Sequence, residues 1–130
     1  MAKFTEPLGG TIFYEDDKVY ACLALYPTTE GHTIVAWKKD VEDLNDLTPH
    51  EYEHLMQVVY EVRRALMLHY NAPKVYTAYL DEFGHVHWHL FPRKEGDDMG
   101  FGFMNKPHGE LAGTDFKPTI EKLRSFLMKN

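Results

Sequence analysis

The stretch that decides the fold is Gly84-His85-Val86-His87-Trp88-His89-Leu90-Phe91-Pro92-Arg93-Lys94. Imidazole and apolar side chains alternate along it until a proline ends the pattern. Successive side chains of a strand point to opposite faces, so this alternation predicts a strand over His85–Phe91, stopped by Pro92. His85, His87 and His89 then share one face. Val86, Trp88 and Leu90 share the other, which is the natural core face. The imidazoles look toward solvent or a cleft.

Working outward, KVYTAYL (Lys74–Leu80) reads as the preceding strand, joined to the first through the tight turn DEFG. Upstream of it, TPHEYEHLMQVVYEVRRALMLHY (Thr48–Tyr70) carries a helix. Thr48 is its N-cap, Pro49 its first helical residue, and Glu51 completes a capping box. Tyr52, Leu55, Met56, Val59, Val62, Leu66 and Tyr70 fall on one helical face. DVEDLNDL forms a short helical turn before it. Three strands precede that turn: Thr11–Asp17, Val19–Tyr26 and His32–Trp37, the first two close enough to form a hairpin. Downstream, Arg93–Thr114 holds five glycines and no period, and reads as a loop. KPTIEKLRSFLMK closes the chain as an amphipathic helix with Ile120, Leu123, Phe126 and Leu127 inward. The expected class is α+β: a mostly antiparallel five-stranded sheet with one long helix and a C-terminal helix on one face, in a single domain of residues 1–130.

The 130 residues carry a net charge of −6, which argues against a nucleic-acid partner because backbone binding needs clustered Lys and Arg. No apolar run reaches the roughly 18–20 residues of a membrane span, and MAKFTEPLGG lacks a signal-peptide core. The single cysteine, Cys22, reads as a small buried apolar residue in a reducing compartment. The expectation is a cytoplasmic protein with no membrane partner.

Three readings compete for the histidine strand. A polar outer face containing histidine by chance is the plainest. A metal site is the second: two histidines at i and i+2 can share an ion, but Cα atoms four residues apart on a strand lie roughly 13 Å apart, so the end rings cannot easily reach one ion together. Nucleophilic catalysis is the third: the middle imidazole attacks, and its neighbours contact the group attacked. Charged imidazoles and the nearby Arg93 suit an anionic transition state such as a transferring phosphoryl group. This reading uses all three rings and needs no ion.

The run His85-Val86-His87-Trp88-His89-Leu90-Phe91 resembles the signature of the histidine triad (HIT) family, His-φ-His-φ-His-φ-φ with φ apolar. YEDDKVYACLALYPTTEGHTIVAWKK is similar to the first half of that family's domain, and DVEDLNDLTPHE to its link into the central helix. The likeness spans about residues 11–94. It implies a nucleotide hydrolase or nucleotidyl transferase, cleaving a phosphoramidate or dinucleoside polyphosphate at an α-phosphate through a nucleotidyl-histidine. It implies a homodimer and no required cofactor, although a divalent cation can accompany a polyphosphate. By the same resemblance His87 is the nucleophile, His89 contacts a non-bridging oxygen, His85 orients His87 partly through its backbone, and His32 supports His85. Leu23, Ala24, Leu25 and Arg93 are candidate substrate contacts. No metal ligand is expected. A nucleotide- or phosphometabolite-binding protein with little turnover, and a metal-dependent hydrolase using two of the histidines, are the alternatives.

Two positions depart from the family pattern. Ala24 stands three residues before Pro27, where many members carry an Asp or Asn that holds the ribose. Glu82 stands three residues before His85, where many carry Ser, Thr or Gln toward the leaving group. Elsewhere the readings are structural. Glu15, Asp16 and Asp17 form a solvated turn, and Trp37 and Trp88 belong to the core. His50, His54 and His69 lie on the helix surface. His108, in the glycine-rich loop, could approach the site but is assigned no role, and Phe101 and Phe103 could pack on a partner subunit.

Overall fold

The computed structural model describes residues 6–80, 82 and 84–127. Met1–Thr5, Asp81 and Phe83 of the expected DEFG turn, and the part of the expected terminal helix beyond Leu127 lie outside these residues. Five strands form one sheet: β1 (Ile12–Glu15), β2 (Val19–Leu23), β3 (Thr33–Trp37), β4 (Lys74–Tyr79) and β5 (His87–Arg93). Their order is β1-β2-β3-β5-β4 and every pairing is antiparallel. Helix α1 (Pro49–Tyr70) connects β3 to β4; a short α2 (Gly100–Met104) and the terminal α3 (Lys117–Leu127) follow β5.

The register explains the two faces. Ile34 pairs with His89 and Ala36 with His87, while Val35 pairs with Trp88 and Thr33 with Leu90. Val19, Val35 and Leu90 therefore face the helices and are fully buried, together with Leu55, Val62 and Leu66 of α1. Each such side chain contributes about 1.5–3 kcal/mol through burial. That sum, rather than intrinsic helix propensity, holds α1 across the sheet. Leu123 and Ile120 of α3 complete the layer.

The start of α1 forms as its sequence demands. Thr48 Oγ1 accepts from the Glu51 amide at 3.1 Å, and Glu51 Oε1 accepts from the Thr48 amide at 2.8 Å. Asn71 ends the helix in the left-handed conformation with φ 49°. The buried stripe is broader than its helical period suggests. Val58 and Ala65 join it, whereas Tyr52 is largely exposed.

Three boundaries depart from expectation. The histidine strand begins at His87, not His85, and continues through Pro92 to Arg93. Gly84 adopts φ +68° and bends the chain at His85, and Val86 bonds to Val41 and Trp37 outside the ladder. Pro92 is tolerated because β3 ends opposite Leu90, so beyond that point β5 has a neighbour only in β4. Residues 93–114 are not one loop. Arg93 ends β5, and α2 forms around Phe103, which is fully buried against Tyr76 and Phe91. A single apolar anchor in five residues leaves no helical period to read. Phe103 thus packs within its own chain and not on a partner; Phe101 is 87% exposed.

Candidate active site

The face of the sheet opposite the helices carries a cleft of about 320 Å³. His87 and His89 reach it from β5, and His32 from the start of β3. Leu23, Ala24 and Leu25 form one wall at the end of β2, and Tyr20, Cys22 and Ile34 line it beside the histidines. Strand alternation delivers these residues together: Cys22 pairs with Ile34, and Ile34 with His89.

Hydrogen bonds fix where each imidazole carries its proton. His87 Nδ1 lies 2.7 Å from the main-chain oxygen of His85. A carbonyl can only accept, so Nδ1 holds the proton and the ring's lone pair is on Nε2. His89 is set in the opposite sense. The Thr28 amide donates to His32 Nδ1 at 3.1 Å, which leaves the proton of His32 on Nε2. That Nε2–H donates to His89 Nδ1 at 3.0 Å, so the His89 proton is on its own Nε2. The two strand rings meet edge to face, centroids 4.9 Å apart. One offers a nucleophilic nitrogen and the other an N–H donor.

Electrostatics keep the relay neutral. Burial pushes the pKa of His32 down to about 3, helped by the nearby His89 and His108. Burial, then His87, pushes His89 down to about 4. The expected charged imidazoles are therefore neutral at His32 and His89, because desolvation disfavours the cation. Phe91 braces both rings, its centroid 4.2 Å from His32 and 5.9 Å from His89. Burial also raises the Cys22 thiol to about 12, which removes it as a nucleophile near neutral pH. Among the described residues no three His, Cys, Asp or Glu side chains are arranged to hold a metal ion.

His32 owes its position to the turn before it. Gly31 has φ +91°, and a Cβ there would lie 2.7 Å from Tyr70 Cζ and 2.9 Å from Pro92 Cγ. Lys94 clamps the same turn, donating to Thr29 Oγ1 at 3.0 Å and to the Glu30 carbonyl. Its ammonium stands 4.8 Å from the centre of the Tyr70 ring.

Several sequence-derived placements change. His32 bonds to His89, not His85. His85 itself lies outside the cleft lining: its Nε2 donates to the Trp37 carbonyl at 2.7 Å and its Nδ1 is 3.4 Å from Asp40. Its bend before β5 turns the ring away while its carbonyl meets His87. Arg93 is also absent from the lining; it ends β5 beyond Phe91 and donates to the Asp97 carbonyl. His108, set aside on sequence grounds, lines the cleft, as does Glu82. No local pattern around His108 announces this, because a long excursion through α2 brings it back.

The HIT domain family matches residues 8–96. A bis(5'-nucleosyl)-tetraphosphatase (asymmetrical) of Schizosaccharomyces pombe is 30% identical over 82% of this chain and 64% of its own length. The chain thus spans slightly less than two thirds of that relative. A bis(5'-adenosyl)-triphosphatase of Dictyostelium discoideum is 29% identical over 92% of this chain and 87% of its own. The crystal structure of a hypothetical histidine triad nucleotide-binding protein from Sulfolobus tokodaii superposes with a TM-score of 0.76 at 26% identity, covering 92% of this chain and 85% of that one. With the family match extending over most of the sheet and through all three histidines of the motif, the chain belongs to the HIT domain family.

Proposed function

We propose that the protein is a nucleotide hydrolase that cleaves phosphoramidate or dinucleoside polyphosphate substrates at the α-phosphorus. The observation that carries this reading is the opposed pair of tautomers. His87 Nε2 presents a lone pair, and His89 Nε2 presents a proton beside it. Attack by His87 Nε2 forms the phosphorus–nitrogen bond as the leaving group departs with its bonding electrons. The Nδ1–H bond to the His85 carbonyl steadies the positive charge that the ring acquires. His89 donates to a non-bridging oxygen of the phosphoryl group in flight. Water then displaces His87 and releases the nucleoside monophosphate.

The apolar wall at Leu23 and Leu25 suits a base, and the cleft volume falls in the range of small-molecule sites. The names of the Schizosaccharomyces and Dictyostelium relatives support a dinucleoside polyphosphate. Glu6 and Glu82 at the same cleft favour a second choice of leaving group. Two carboxylates repel a long polyphosphate tail unless a divalent cation accompanies it, whereas an amine leaving group meets no such repulsion. The reading extends to a cytoplasmic homodimer. The outer edge of β4 has no neighbouring strand among the described residues, which supports pairing with a second copy.

The test is intact-protein mass and AMP release after brief mixing with diadenosine tetraphosphate and, separately, an adenosine phosphoramidate, in EDTA and with added magnesium. An adenylyl adduct in EDTA that His87→Ala abolishes is the expected result. Turnover only with metal, or an adduct that survives His87→Ala, overturns the covalent reading. AMP binding with no adduct and no release is the outcome that identifies a binding protein instead.

A further inference from the structure

His108 lies outside the stretch matched by the family and outside every strand and helix, yet it lines the catalytic cleft. Its position is built rather than incidental. After α2 the chain turns back along the end of β2, where the Gly109 amide donates to the Pro27 carbonyl and the Leu111 amide to the Leu25 carbonyl, both at 2.9 Å. Leu111 is buried in the core and anchors the run. Between these bonds, His108 Nδ1 lies 3.2 Å from the Tyr26 carbonyl. That carbonyl only accepts, so Nδ1 holds the proton and Nε2 carries a lone pair, a hydrogen-bond acceptor.

At the end of β2 and just past it, residues 23–25 give the cleft wall no side-chain acceptor. Ala24 offers a methyl group, flanked by Leu23 and Leu25. His108 is held at the Tyr26 carbonyl, two residues before the Thr28 amide that holds His32; both rings line the cleft, and His32 in turn touches His89. His108 therefore stands on the His32 side of the cleft, one step out from the rings that would hold the phosphorus. In a 5'-nucleotide the group one step from the α-phosphorus is the sugar, whose 2'- and 3'-hydroxyls are hydrogen-bond donors in need of acceptors.

We infer that His108 is the sugar-binding residue of this cleft, accepting from a ribose hydroxyl through Nε2. The inference rests on the nucleotide reading above. It assigns a recognition task to a segment outside the family's common stretch, at a site where the residue just past β2 is Ala24. A buried or half-buried hydroxyl without an acceptor weakens binding, so the sugar hydroxyls should contribute affinity only while His108 is present.

The experiment is calorimetric binding of AMP and 2',3'-dideoxy-AMP to the wild type, His108→Ala and His108→Gln. Wild type should bind the dideoxy analogue about tenfold more weakly than AMP, in line with one lost hydrogen bond. His108→Ala should bind AMP about as weakly as wild type binds the analogue, with less than twofold discrimination between the two. His108→Gln, which keeps an acceptor at similar reach, should recover part of the discrimination. Unchanged discrimination in His108→Ala overturns the assignment, and so does an equal loss for both ligands, which marks a contact to base or phosphate. Failure of wild type to bind AMP overturns the assignment and the nucleotide reading together. Binding with His108-dependent discrimination but no turnover upholds the sugar contact and removes only the hydrolase reading.

Discussion

Two neighbouring rings of one strand are held by different parts of the molecule. His87 takes its orientation from a carbonyl two residues away on its own chain. His89 takes its orientation through His32 from an amide in the turn between β2 and β3. A main-chain carbonyl imposes a proton on the ring nitrogen facing it. A side-chain N–H donor imposes a lone pair. The same residue type two positions apart therefore presents a lone pair in one case and an N–H in the other, the two groups the proposed reaction needs. The support of His87 is main-chain and survives removal of the His85 ring, whereas the support of His89 goes with the His32 side chain.

The largest expected effect tests the nucleophile. His87→Ala should lower kcat by at least about 10⁴-fold, as loss of a nucleophile does in other covalent enzymes. Single-turnover adenylylation followed by mass spectrometry measures it. A residual rate within tenfold of wild type would mean that another group attacks.

The donor side should break more gradually. His89→Phe is expected to cost about 10²–10³-fold in kcat, the range for removal of one transition-state donor. His32→Phe should cost less, about tenfold or somewhat more, because the donor remains but loses its guide. His32→Gln keeps an N–H and should regain part of that loss. Nitrogen-15 shifts of the rings give a direct reading: wild type should show Nδ1–H on His87 and Nε2–H on His89. Only the His89 assignment should blur in His32→Phe. Blurring at His87 would contradict the separation of the two supports.

Acid titration probes the same relay through stability. His32 and His89 hold pKa values of about 3 and about 4, below the roughly 6.5 of an unfolded histidine. In that window the unfolded chain binds protons that the folded chain refuses. Their contribution is complete above about pH 6.5 and is lost as the pH falls toward about 4 for His89 and about 3 for His32. Each ring can add a slope of up to about 1.4 kcal/mol per pH unit. Urea unfolding at successive pH values should show stability falling between pH 6.5 and 4, with a shallower fall in His32→Phe. Equal slopes in the two proteins would show that the relay does not set the acid response.

The contrast also explains what could be read from the sequence. The alternation of His87, Trp88, His89 and Leu90 reports a local property of a strand, so the shared face of His87 and His89 and the core face were legible. So was α1, whose capping box and apolar stripe are local as well. The pairing of His32 with His89 was not legible, since it depends on the sheet order placing β3 beside β5. His85 misled because the alternation continues in the sequence one step beyond where the strand ends. Arg93 shares the alternating face of His87 and His89, but it sits at the far end of β5, past Phe91, where it donates to the Asp97 carbonyl and misses the cleft. His108 depends on a return path through α2, and its neighbours in sequence carry no period.

His85→Ala sharpens the comparison from the motif's side. It removes a histidine of the signature but leaves the carbonyl that His87 uses. The ring's bond to the Trp37 carbonyl is lost at a partly buried site. A net hydrogen bond contributes about 0.5–1.5 kcal/mol, so the expected result is a modest loss of stability and a kcat loss below about tenfold. His32→Phe, outside the motif, should hurt catalysis more. The reverse order would mean that the His85 ring, not its backbone, supports the nucleophile.

Lys94 provides the finest test, because it touches neither ring. Its ammonium joins Thr29 and Glu30 of the turn to the end of β5, next to the Tyr70 ring. The turn presents the Thr28 amide to His32, so Lys94 acts on His89 through three successive contacts. Lys94→Met keeps most of the apolar stem and removes the donors. It should cost about threefold in kcat, with little change in KM, and the His89 tautomer signal should broaden while that of His87 stays sharp. Lys94→Arg, which restores donors with a different shape, should recover only part of the rate. A change confined to thermal stability, with kcat and the His89 signal unmoved, would show that Phe91 and Gly31 hold His32 in place without help from the turn's outer clamp.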